Sequence, residues 1–149
     1  CPPLLKDATG KQELRIRPLS NFGNGSTMNS WNWSGSFRID QEGEFGLMIR
    51  GRYNTDMKKI MNIRIALEGP SAVITFTEGT GEGAPYRVEN RCKDVVIQFC
   101  QRDVNSTFES LGPKESMWFA WEEPTLPHRL RVSLQIRDGK EGPTLREYN

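Results

Sequence analysis

The sequence is poor in the side chains on which most enzyme and metal chemistry depends. It holds one histidine, His128, and three cysteines, Cys1, Cys92 and Cys100, with no Cys-x-x-Cys pair. A zinc site of ordinary spacing is therefore unexpected, and no cofactor or metal is expected. An odd cysteine count without a ladder of spacings argues against a disulfide framework and for a reducing, cytoplasmic compartment. The cysteines then read as small buried hydrophobes. Charge of one sign is also lacking. Lysine plus arginine total 20 against 19 acidic residues, so nothing draws the whole chain to nucleic acid or acidic lipid. No apolar run approaches the roughly 18 residues that cross a bilayer, and no secretory leader pattern stands at Cys1. The abrupt start reads as a piece excised from something longer. Three glycosylation sequons, at Asn24, Asn32 and Asn105, matter only in a secreted chain and are read as incidental loop sequence.

Helical periodicity is missing too. No segment holds apolar residues at helical spacing for three turns, and TDMKKIMN (55–62) is the only candidate for a short helix. Period-two alternation is present instead. It puts Leu14 and Ile16 on one face of ELRIRPL, which Pro18 ends or places at a sheet edge, and Phe37 and Ile39 on one face of SFRID. The same pattern groups Phe45, Leu47 and Ile49, then Ile63, Ile65 and Leu67, then Ile74 and Phe76. Further on it groups Val95, Ile97 and Phe99, and finally Leu130, Val132, Leu134 and Ile136, with Arg129, Arg131, Ser133 and Gln135 outward. About nine short runs, each bounded by Gly, Pro, Asn or Asp, predict an all-β chain of antiparallel, sandwich-like units. Residues 20–35 form a Ser-, Asn- and Gly-rich loop carrying Trp31 and Trp33, and Asp138-Gly139 is a hairpin signal before a returning strand. At 149 residues the chain fits one domain or two small units sharing a core. Gly79–Gly83, flexible and without an apolar member, is the best internal boundary, giving 1–83 and 84–149.

The densest patterning lies between Pro85 and Pro127. In PYRVEN, Tyr86 and Val88 share a face and Asn90 falls on that same face at the strand end. A buried amide there must satisfy two donors and an acceptor, so Asn90 would fix a neighbouring loop. An exposed Asn opening the turn Arg91–Asp94 fits the pattern equally well. Farther on, Met117, Phe119 and Trp121 alternate with Trp118 and Ala120, and Glu122-Glu123-Pro124 closes the segment. Trp118 and Trp121 are the candidates for an aromatic peptide platform; core anchoring is the competing reading for each.

The phrases Tyr-Arg-Val-Glu-Asn, the Gln-ended second strand, Leu-Gly-Pro-Lys-Glu and Ala-Trp-Glu-Glu-Pro together resemble the adaptor-binding region of the VPS13 proteins, bridge-like lipid-transfer proteins. That region is also called the SHR-binding domain. Trp33-Ser34-Gly35 followed by SFRID resembles the second-half signature of the preceding unit. The resemblance implies an array of β-rich repeats, each with a characteristic asparagine, and Asn90 stands where that residue belongs. It further implies that the chain carries the later part of one repeat in 1–83 and the beginning of the next in 84–149. Its partners would be Pro-x-Pro peptides on membrane-bound organelle adaptors, together with neighbouring repeats. Its place would be peripheral, at organelle membranes and contact sites.

Other classes fit less well. Glu122 and Glu123 are adjacent and would point to opposite faces of a strand, so they cannot flank one glycosidic bond, and His128 has no evident nucleophile. The glycines of GTGEG do not lead a strand into a helix, which argues against a phosphate loop. A carbohydrate-binding sandwich would use Trp31, Trp33, Trp118 and Trp121 but requires secretion. An anionic-lipid surface would gather arginines 15, 17, 38, 50, 64, 129 and 131, for which solvated strand faces are the simpler account. Catalysis is not expected.

Overall fold

The computed structural model describes residues 5–6, 10, 12–19, 30–79, 83–104 and 107–136. Among these, eleven strands and no α-helix occur: β1 (Leu5–Lys6), β2 (Gln12–Leu14), β3 (Phe37–Arg38), β4 (Gly43–Arg50), β5 (Lys58–Glu68), β6 (Ser71–Glu78), β7 (Tyr86–Glu89), β8 (Val95–Gln101), β9 (Glu109–Leu111), β10 (Ser116–Phe119) and β11 (Leu130–Ile136). Every ladder is antiparallel, in four small sheets ordered β1-β2-β3, β4-β5-β6, β10-β7 and β11-β8-β9. The all-β class expected from alternation is what forms. TDMKKIMN is not helical: it supplies a turn, in which Asn54 Oδ1 accepts from the Asp56 amide at 2.9 Å, and then the start of β5. Propensity over eight residues is too weak to outweigh eight cross-strand pairs between β4 and β5.

The chain divides into two compact units. The first comprises Cys1–Pro85 with Ala120–Thr125, and the second Tyr86–Phe119 with Leu126–Asn149.

In the first unit, Phe37, Leu47, Ile49, Ile63 and Ile65 form the buried core, and Leu14, Ile16, Trp31, Ile39, Phe45, Met61 and Ile74 pack around it. Except for Trp31 and Met61, these are residues that alternation assigns inward. Gly69, at φ +61°, heads the two-residue loop of the β5–β6 hairpin, where a turn matching the strand twist needs a positive φ. Two expectations fail in instructive ways. Leu67 (47% exposed) and Phe76 (42%) share the inward face yet stay exposed: Leu67 stands at the far end of β5, and Phe76 on the edge strand β6. Met48 and Arg50, assigned outward, are buried. Trp31 is half-buried beside its bridge to Gly51, whereas Trp33 is exposed; the rest of the loop, 20–29, lies outside the described residues.

In the second unit, Phe99, Cys100, Leu111 and Phe119 are buried, with the Phe99 and Phe119 rings edge to face at 5.7 Å. β11 reverses one expectation: Ser133, placed outward by alternation, is buried, and Ile136 is exposed at the strand end. Cys92 is exposed, so the buried-hydrophobe reading holds for Cys100 but not for Cys92. Cys1, the sequons at Asn24 and Asn105, and the Asp138-Gly139 turn lie outside the described residues.

Candidate functional site

Asn90 follows β7 in the second unit and is 1% exposed. Its two Nδ2 hydrogens are shared among the carbonyls of Val95 at 2.7 Å, Leu111 at 3.0 Å and Gly112 at 2.9 Å, one of them in a bifurcated bond. Its Oδ1 accepts from the Cys92 amide at 3.0 Å, and its own amide donates to Glu115 O at 2.9 Å. One side chain thus ties the turn after β7, the start of β8 and the Leu-Gly-Pro turn after β9. That turn is also closed from within: Gly112 N donates to Glu115 Oε2 at 2.6 Å, and Lys114, at φ +64°, donates through Nζ to Arg91 O at 2.6 Å. Three carbonyls converging on one amide fit asparagine and no other residue of its size.

Asn90 leads back along β7 to the two-stranded sheet with β10. Register places Trp118 opposite Arg87, and the Arg87 guanidinium carbon lies 5.6 Å from the Trp118 ring centroid. Arg87 also donates to Ser116 Oγ at 3.2 Å and lies 3.3 Å from Glu89. Glu89 receives Arg91 as well, at 2.9 Å. The Arg91 hydrogen bond, then the charges of Arg91 and Arg87, hold the Glu89 carboxyl below the ordinary glutamate range. Trp118 is half-buried, with cationic and acidic groups beside it on an exposed strand pair. An indole so placed offers a flat apolar surface within a polar rim.

Trp121 sits differently. It belongs to the first unit, is 8% exposed, and bridges to Leu47 in parallel, its carbonyl accepting from the Met48 amide at 3.0 Å. Trp121 is thus buried where Trp118 is half-buried, and of the two indoles Trp118 presents the more accessible surface. The neighbouring residues complete a clamp. Glu122 Oε1 accepts from Arg50 Nε at 2.8 Å and Nη2 at 2.7 Å, both side chains being largely buried. A methyl at Gly35 would run into the Glu122 carbonyl and come within 2.5 Å of Glu123 Oε2; one at Gly46 would come within 2.5 Å of Pro85. The Trp-Ser-Gly and Ala-Trp-Glu-Glu phrases are therefore two sides of one joint. Sequence reading missed the Arg50–Glu122 pair, because its partners are 72 residues apart and alternation puts Arg50 outward. The glycine in Trp-Ser-Gly was the available signal. With Arg50 buried and paired, and Arg38 bound to Asp40 at 2.7 Å, the arginines proposed for a common lipid surface are not all free to form one.

Among the described residues, no group of three or more His, Cys, Asp or Glu is placed to hold a metal ion, and no helix is long and apolar enough to cross a membrane.

The first unit thus carries a buried joint at Gly35 and Glu122, and the second an asparagine-tied pair of turns and a half-buried tryptophan, all on β-strands and the turns between them. The chain belongs to the family described as Vacuolar-sorting associated protein 13, adaptor binding domain, whose model matches residues 10–128. It is similar to intermembrane lipid transfer protein vps13B of Dictyostelium discoideum, 26% identical over 123 residues, covering 83% of this chain and 2% of that protein. It also resembles Dictyostelium vps13A, 26% identical over 137 residues, covering 91% and 4%. Human VPS13D is 29% identical over 105 residues, covering 69% and 2%. The chain thus spans only a few per cent of the length of these relatives.

Proposed function

We propose that the chain is a non-enzymatic module that recruits a bridge-like lipid-transfer protein to organelle membranes by binding short Pro-x-Pro peptides on membrane-bound adaptors. Membership of the adaptor-binding family over residues 10–128 is the observation that carries this reading. The second unit supplies a chemically suitable surface. A proline-containing peptide is pre-extended, loses little entropy on binding, and presents flat apolar rings that stack on an indole. Trp118, backed by Arg87, is such an indole, and Asn90 holds together the two turns at one end of its strand pair. The residues 1–83 and 84–149 are read as parts of consecutive repeats, so that further repeats of the same protein are partners as well. The module acts at the cytoplasmic face, peripherally, at membrane contact sites.

The test is a fluorescence-polarisation titration of the 149-residue chain with labelled Pro-x-Pro peptides and their Ala-x-Ala counterparts. Saturable binding that requires the prolines, and weakens about tenfold or more in Trp118→Ala, supports the reading. A folded chain that binds neither peptide overturns it.

A further inference from the structure

β6 is an unusual edge. It runs eight residues as SAVITFTE, with no lysine, no proline and no bulge in its ladder to β5. Its other edge has no ladder partner among the described residues. Edge strands are ordinarily blunted by charge, proline, bulges or brevity, because unpaired amides and carbonyls invite another strand. Here the only charge is Glu78 at the strand's last residue, and Val73 (41% exposed) and Phe76 (42%) add apolar surface to the open edge.

Beside Phe76 opens a cleft of about 330 Å³, lined by Ile16, Arg17, Pro18, Leu19, Lys59 and Met61. Two cations border it, and they are not equivalent. Lys59 is paired with Glu78. Arg17 stacks its guanidinium on exposed Trp33, 4.5 Å from the ring centroid, and its Nε is buried with no acceptor among the described residues. The Arg17 side chain is half-exposed at the cleft and has no acidic partner among the described residues, and a carboxylate is the acceptor that best matches a guanidinium.

We propose that β6 and this cleft form a docking site for an extended, carboxylate-bearing peptide segment. The segment adds to the β4-β5-β6 sheet as a fourth strand, packs an apolar side chain on Phe76 and Met61, and sets its carboxylate on Arg17. An open strand edge selects a polypeptide over a lipid, because only a polypeptide continues the ladder. The positive cleft selects an acidic one. This goes beyond the proline-directed reading: it uses another surface and a chemistry in which backbone amides and a carboxylate, not proline rings, carry recognition.

The probe is a fluorescein-labelled octapeptide, Ser-Val-Thr-Val-Glu-Val-Thr-Ser, run with its Glu→Gln and backbone N-methylated counterparts and with phosphatidylserine vesicles. Binding is read by polarisation, and amide exchange is read over Ser71–Glu78. The Glu peptide is expected to bind the 149-residue chain saturably and to slow exchange in β6. The Gln peptide should bind about tenfold more weakly, and the N-methylated one not at all. Arg17→Gln should erase the Glu/Gln difference, and Arg17→Lys should keep part of it, with circular dichroism confirming the fold of both. Binding to Pro-x-Pro peptides should be unchanged in Arg17→Gln, so the two readings fail separately. The proposal is overturned if Glu and Gln peptides bind alike, if N-methylation has no effect, if Arg17-dependent binding is found only with vesicles, or if β6 is protected by self-association of the chain alone.

Discussion

Replacing Asn90 with alanine removes an amide toward which three carbonyls point and on which one backbone amide depends. The carbonyl of Leu111 is in a buried bond, and those of Val95 and Gly112 are in partly buried ones. A buried acceptor left without its donor costs about 1–3 kcal/mol. The Leu111 carbonyl bears this in full and the others in part, which gives about 3 kcal/mol for Asn90→Ala. That is a large share of a total stability of about 5–15 kcal/mol. Urea denaturation followed by tryptophan fluorescence measures the loss, and it should appear as a lower midpoint at unchanged slope. Asn90→Asp separates hydrogen bonding from shape. A carboxyl there faces carbonyl oxygens and is stable only when protonated, so its folded pKa lies above the unfolded value of about 3.9. The variant is then closest to wild type below that value and loses stability as the pH rises through the folded pKa. A loss under about 1 kcal/mol for Asn90→Ala, or an Asn90→Asp variant indifferent to pH, would refute the argument.

Three further outcomes are expected. Glu122→Gln and Arg50→Met should each destabilise by about 3 kcal/mol, and the double variant by much less than the sum, since each single change strands a largely buried charge; a denaturation double-mutant cycle measures the coupling. Gly35→Ala should cost about 1–3 kcal/mol, seen as a lower melting temperature, because the new methyl meets backbone at Glu122 and carboxylate at Glu123. In an NMR titration the Glu89 carboxyl should titrate below an ordinary glutamate and move up in Arg91→Gln. Its contribution to stability is present above the unfolded pKa and fades as pH falls through the depressed folded one, less so in high salt, because the pair is exposed.

Which of these features could be read from the chain depends on how far apart their partners lie. Ile63, Ile65, Phe37 and Phe99 are where alternation puts them, because each strand carries its own two-residue period. Alternation says nothing about what covers the second face. Met48 and Arg50 are buried because Ala120–Thr125, some seventy residues on, belongs to the same unit. Only the glycine at Gly35 hinted at that approach. Asn90 shows a different limit: the pattern placed it at a strand end but left its burial open, since that depends on the turn at Leu111–Glu115, which period two does not see. Trp118 and Trp121 look alike in sequence and differ in exposure for the same reason.

The most direct test of the central claim is an NMR shift map of the 149-residue chain titrated with a Pro-x-Pro peptide. The account predicts saturable shifts concentrated on the Trp118 indole, Arg87 and the strands β7 and β10, absent with the Ala-x-Ala peptide. Shifts concentrated on β6, or none from a chain whose spectrum shows it folded, would contradict it.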